Sequence, residues 1–109
     1  LRLAEGISSV DCVVLPLFDK EGMPELAREI TSAINALPHS RAEMDSSKSI
    51  GRRYARADEI GVPWALTVDH TSLEDGSVTI RRRDDQLQVR AFVDEILTHM
   101  TNGTMQELF

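Results

Sequence analysis

The sequence predicts an α/β fold, a mixed β-sheet covered by three helices. Short apolar runs alternate along the chain with segments whose apolar residues recur at helical spacing. Crossovers of that kind return strands in parallel beneath covering helices. One turn-type stretch, Glu74-Asp-Gly76, separates two extended segments and adds an antiparallel pair.

The elements follow in order. Asp11-Cys-Val-Val-Leu-Pro-Leu-Phe18 reads as a buried strand with Pro16 near its end. Gly22-Met-Pro24 opens a helix, proline suiting the first turn, and Leu26, Ile30, Ala33, Ile34 and Leu37 carry it to Pro38. Arg41 to Asp45 is a weaker, second strand. Asp45-Ser-Ser-Lys-Ser49 is a polar loop rich in N-cap residues. A second helix from about Ile50 to Ile60 turns Ile50, Tyr54, Ala57 and Ile60 inward and stops at Gly61. Pro63 to Asp69 is a third strand, and Ser77 to Arg83 a fourth. In the fourth, Val78 and Ile80 share one face, while Thr79, Arg81 and Arg83 share the other. Asp84 or Asp85 then caps a last helix bearing Val89, Phe92, Val93, Ile96 and Met100, closed by Gly103.

One hundred and nine residues, 41% hydrophobic and 28% charged, suit a single globular domain. No apolar run is long enough to span a bilayer, so no membrane role is expected. The chain opens on Leu1 rather than methionine, which suggests a piece of a longer or processed polypeptide. Cys12 is the single cysteine, which excludes an internal disulfide and points to a reducing compartment. Lying in an apolar strand, it reads as an inert buried thiol rather than a nucleophile. His39, His70 and His99 are scattered without metal-ligand spacing. The acid pairs Asp58-Glu59, Glu74-Asp75 and Asp84-Asp85 sit at helix ends or turns, where capping and solvation come first. No glycine-rich phosphate loop is present. An autonomous active site is not expected, and the domain is assigned no metal or cofactor.

The charges are unevenly placed. The net charge of −6 argues against a polyanion partner, yet eight of the twelve basic residues lie between Lys48 and Arg90. Arg52, Arg53 and Arg56 fall near a helix start, where the macrodipole favours negative charge. Arg52 and Arg53 have no carboxylate at i±3 or i±4, although Arg56 can pair with Glu59 as part of a solvated face. Arg81-Arg82-Arg83 forms a second cluster, with alternation sending Arg82 to the opposite side. Asp84 stands beside it, and Gln88 and Arg90 lie one to two turns along the expected last helix. Arginine forks with a nearby carboxylate and amide suit the edges of unpaired RNA bases, where donors and acceptors are both needed. Aromatic residues are few, so hydrogen bonding rather than stacking would carry recognition.

At these residues the chain resembles a known family. Ile50-Gly-Arg-Arg53 followed by Val62-Pro-Trp-Ala-Leu-Thr-Val68 resembles the helix–strand signature of class IIa anticodon-binding domains. Ser49-Ile-Gly-Arg-Arg-Tyr-Ala-Arg-Ala-Asp-Glu-Ile-Gly61 is similar to glycyl-tRNA synthetases of the eukaryotic and archaeal type. Cys12-Val-Val-Leu-Pro-Leu17, Met44-Asp-Ser-Ser47, Thr79 to Asp84 and Gln88-Val-Arg90 fit the same family. The resemblance runs from about Asp11 to about Asn102. It makes residues 1–109 one anticodon-binding domain of a longer synthetase, with 1–10 a lead-in and 103–109 a tail.

The resemblance implies a mixed five-stranded β-sheet flanked by three α-helices, gripping the anticodon loop of glycine tRNA and reading its cytosines. On the matching positions Arg81, Arg83, Asp84 and Arg90 touch anticodon nucleotides, and Arg52, Arg53 and Arg56 contact phosphates or brace the fold. Arg82 stands where the family often carries an acid, and Trp64 replaces a smaller residue. The family's catalytic core is absent from these residues. ATP and magnesium therefore belong to the parent enzyme, a cytoplasmic homodimer with mitochondrial use open, whose catalytic domain is the other partner. The alternative is an interaction domain like that of the mitochondrial DNA polymerase accessory subunit, which uses a similar fold.

Overall fold

The computed structural model describes residues 10–18, 22–38, 40–45 and 61–109. The helix expected from about Ile50 to Ile60, with Arg52, Arg53 and Arg56, lies outside the described residues, as do Lys48 and His39.

Strand β1 (Cys12–Pro16) is buried along its whole length, as a continuous apolar run in a helix-covered sheet should be. Helix α1 (Met23–Asn35) follows, with Pro24 in its first turn and Met23, Ala27, Ile30 and Ile34 as its buried stripe. The second strand is short, β2 (Ala42–Met44). Asn35 ties it to the end of α1, its side-chain amide donating to the Ala42 carbonyl at 3.0 Å and accepting from the Ala42 N–H at 2.8 Å. Next come β3 (Trp64–Val68), a short helix α2 (His70–Asp75), β4 (Ser77–Arg82), β5 (Gln88–Phe92) and helix α3 (Val93–Asn102). A 3-10 turn at Met105–Leu108 ends the chain.

The strands form one sheet in the order β2-β1-β3-β4-β5. β1 pairs in parallel with β2 and β3, while β3–β4 and β4–β5 are antiparallel. One face carries the main core, where Cys12, Val14, Leu66, Val68, Val78 and Ile80 pack with Met23, Ala27, Ile34 and Ile96. Val13, Leu15, Val62 and Ala65 form a smaller cluster on the other face. Cys12 is fully buried, and burial pushes its thiol up, out of nucleophile range. Among the described residues no helix is long and apolar enough to cross a membrane.

Two expectations are corrected. Glu74-Asp-Gly76 is not a hairpin turn but the end of α2. Asp69 caps that helix, accepting from the Ser72 N–H at 3.1 Å, and Gly76 closes it at φ +76°, where a side chain would be strained. The second correction concerns residues 84–92. Neither Asp84 nor Asp85 caps the last helix, which begins only at Val93, where Glu95 reaches back to accept from the Phe92 N–H at 3.1 Å. Gln88–Phe92 is instead β5, the edge strand. Val89, Phe92, Val93, Ile96 and Met100 satisfy helical spacing, but Gln88, Val89, Arg90 and Ala91 also alternate polar and apolar. Ladder pairing with β4 decides in favour of the strand.

Candidate nucleic-acid interface

The β4–β5 hairpin displays most of the described candidate residues, and its register determines which of them meet. Arg81 pairs with Gln88, Thr79 with Arg90 and Ser77 with Phe92. On the other side of β4, Arg81 pairs with Ala65 and Thr79 with Thr67. Because side chains alternate along a strand, these residues share the face opposite α1 and α3. Two rows therefore cross the sheet there: Ala65, Arg81, Gln88, and then Thr67, Thr79, Arg90.

Arg90 is engaged within the fold. Its guanidinium donates to Ser77 Oγ at 2.7 Å, to Thr79 Oγ1 at 3.3 Å and to Asp69 Oδ2, with which it forms an ion pair. Asp69 meanwhile caps α2 through its other oxygen, and Ser77 Oγ donates to Asp75 Oδ1 at 2.6 Å. One connected network thus runs from the helix cap through the edge strand. Partial burial pushes the Asp69 carboxyl up, but the Ser72 N–H, the Arg90 guanidinium and the Ser72 hydroxyl outweigh it and hold the group below the usual carboxylate range.

The three consecutive arginines diverge. Alternation sends Arg82 to the α1/α3 face, as expected. There its Nε donates to Asp85 Oδ1 at 3.0 Å and its terminal nitrogen to Asp85 Oδ2 at 2.6 Å, a two-point fork. That fork holds the Asp85 carboxyl down at about 2 and raises Arg82 above its ordinary value. The guanidinium also lies 4.5 Å from the centre of the Phe109 ring, which stacks on Trp64 at 5.6 Å. Trp64 and Arg82, the two departures from the resembled pattern, are directly opposed across β3 and β4. Both touch the same C-terminal ring.

Arg83 lies in the turn beyond β4, its N–H donating to the Pro63 carbonyl at 3.0 Å. Its guanidinium stands 4.0 Å from Asp84, whose side chain is 87% exposed. Gln86, at φ +62°, helps reverse the chain into β5. The structure therefore brings Arg81 and Arg90 to one face with Arg83 and Asp84 at its end. Arg52, Arg53 and Arg56 lie outside the described residues. Gln88, which the sequence placed beside the arginines on an expected helix, instead faces Arg81 across the β4–β5 ladder. Thr79, Ser77 and Asp69 are the residues that sequence reasoning left out of the site, and finding them required the strand register.

A model of the anticodon binding domain family matches residues 11–102 of the chain. The chain belongs to that family. It is 52% identical over 96 residues to the glycine–tRNA ligase of Methanothermobacter thermautotrophicus, covering 88% of this chain and 17% of the relative. The corresponding figures for the glycine–tRNA ligase of Methanothrix thermoacetophila are 44% over 108 residues, 96% and 18%. The chain thus spans less than a fifth of the length of these relatives. The fold is also that of the RNA binding domain of threonyl-tRNA synthetase from Cryptosporidium parvum, with a TM-score of 0.77 at 18% identity over 86% of this chain and 23% of that one. Prolyl-tRNA synthetase from the same organism gives 0.76 at 18% identity, over 89% and 21%. As an anticodon-binding domain, the chain has a mixed five-stranded sheet, with the Trp64–Phe109–Arg82 stack at its C-terminal end.

Proposed function

We propose that this anticodon-binding domain grips the anticodon loop of glycine tRNA as part of a glycine–tRNA ligase. The match over residues 11–102, together with relatives of that name, is the observation that carries the reading. Those relatives do not favour an interaction domain like that of the polymerase accessory subunit.

In this reading Arg81, Arg83 and Asp84 meet anticodon nucleotides at the outer end of the β4–β5 hairpin. Arg90 works from beneath: its donors are committed to Asp69, Ser77 and Thr79, so it fixes the edge strand that carries the contact face. Arg52, Arg53 and Arg56 take phosphates, a contact that strengthens every RNA alike and weakens with salt. The domain performs no chemistry. ATP, magnesium, the glycyl-transfer step and the dimer contacts belong to the remainder of the parent polypeptide, a cytoplasmic enzyme in this reading.

Filter binding of the chain to glycine tRNA and to the same tRNA with a swapped anticodon tests the reading. Tighter binding of the authentic anticodon is expected. Equal affinity for both, or none for either, removes anticodon readout.

A further inference from the structure

We infer that the groove between α1 and the start of α3 docks a cationic amphipathic helix of a second protein. The inference goes beyond the anticodon reading and does not depend on which nucleotides the domain touches.

The groove has a volume of about 390 Å³ and lies between the two helices that cover the sheet, on the side away from Arg81 and Arg90. Leu26, Ile30 and Ala33 form one wall, a stripe at i, i+4 and i+7 along α1. Val93, at the start of α3, and Phe92, where β5 ends, border it opposite. Phe92 is 51% exposed and leaves a large apolar surface in water beside the groove.

The rim is acidic. Glu29, Asp75 and Asp94 border the groove, and among the described residues no basic side chain does. Glu29 and Asp94 form no ion pair with any described residue. Asp75 accepts from the Ser77 hydroxyl at 2.6 Å and the Ser77 N–H at 2.9 Å, which holds its carboxyl below the usual range and keeps it charged. An apolar floor flanked by carboxylates repels RNA and matches apolar anchors flanked by Lys or Arg. An amphipathic helix supplies both, with its anchors at i, i+3 or i+4 and its cations beside them.

The topology favours a separate protein over another part of the same polypeptide. β1 begins at Cys12, opposite Trp64; Trp64 in turn pairs with Arg82 and carries the Phe109 ring. Both ends of the described chain therefore lie at that end of the sheet. The groove lies at the other end, where Ser77 pairs with Phe92, about 15 Å away along the strands. A segment joined at either terminus would start from the far side.

The test uses the chain, the parent ligase and a fluorescein-labelled synthetic helix of leucine and lysine, with binding read by anisotropy at physiological salt. The wild type should bind this helix and not a shuffled peptide of the same composition, whose leucines form no stripe. Glu29→Lys with Asp94→Lys should weaken binding at least about tenfold. Glu43→Lys with Glu107→Lys makes the same change in net charge away from the groove and should leave binding within about twofold. Ala33→Gln narrows the floor on a helix that tolerates glutamine and should also weaken binding, so the inference is tested even if the reversed charges disturb α1. Thermal melts show which variants keep the fold. Equal losses in the two charge-reversed pairs, or equal binding of the shuffled peptide, reduce the effect to bulk attraction and overturn the inference. A parent ligase that fails to bind the helix that the chain binds has the groove covered from within, which also overturns it.

Discussion

Arg81 and Arg82 are neighbours in sequence, yet one strand sends them into opposite physical situations. Arg82 faces the helices, forks onto Asp85 and lies over Phe109, which in turn stacks on Trp64. Arg81 faces away, beside Gln88 and in front of the row containing Arg90. Arg82 has a carboxylate and an aromatic ring as a built-in receptor, so its charge is spent on the fold. The comparison teaches that a run of three arginines is not one basic patch. Alternation divides it, sending Arg82 onto Asp85 and the Phe109 ring and Arg81 to the opposite face of the sheet.

The sharpest way to break this comparison is to truncate each arginine and read RNA affinity. Arg81→Ala should weaken binding of the authentic stem-loop by about 1–3 kcal/mol, the range for a two-point base contact. Arg82→Ala should leave affinity within about twofold and act on the fold alone, since rim charges already paired within the protein add little to binding. Equal losses in the two variants would mean that the hairpin contributes only bulk charge.

A smaller effect separates the two rows of the contact face. Asp69 both caps α2 and holds Arg90, so Asp69→Ala should lower unfolding free energy in urea by about 1–2 kcal/mol, combining a lost cap with a partly exposed ion pair. Gln88→Ala, one row further out, should change stability by less than about 0.5 kcal/mol. A negligible effect of Asp69→Ala would show that the network is not what holds the edge strand.

How much of this could be read from the chain is itself a matter of local against non-local forces. β1 and α1 were legible because a continuous apolar run and a helical stripe are local patterns. The division of Arg81 from Arg82 was legible too, since alternation is a property of one strand. β5 was not. Val89 to Met100 fits helical spacing, and only the ladder to β4 overrides it; the five-strand count came from the family resemblance. The partner of Arg90 was equally hidden. Asp69 is 21 residues away and arrives through the β3–β4 register. The turn expected at Glu74–Gly76 failed because Asp69 and Ser72, a reciprocal cap, start a helix first.

The smallest predicted effect is a titration that reports on the Arg82 side of the comparison. Asp85 holds its carboxyl at about 2 because the Arg82 fork favours the charged form, whereas an unfolded aspartate titrates near about 4. A depressed folded value means that the unfolded state binds the proton more readily. The pair therefore contributes its full stabilisation above pH about 4 and loses it as pH falls towards about 2. Asp69 is shifted in the same direction and adds to the same acid-side decline. Carboxyl-carbon NMR should find Asp85 titrating near 2 in the wild type, and Arg82→Ala should return it to the ordinary aspartate range. Arg81→Ala should leave the Asp85 titration where it was, because Arg81 lies on the other face. A wild-type Asp85 that already titrates near 4 would mean that the fork is not maintained in solution and that Arg82 is not held by the fold.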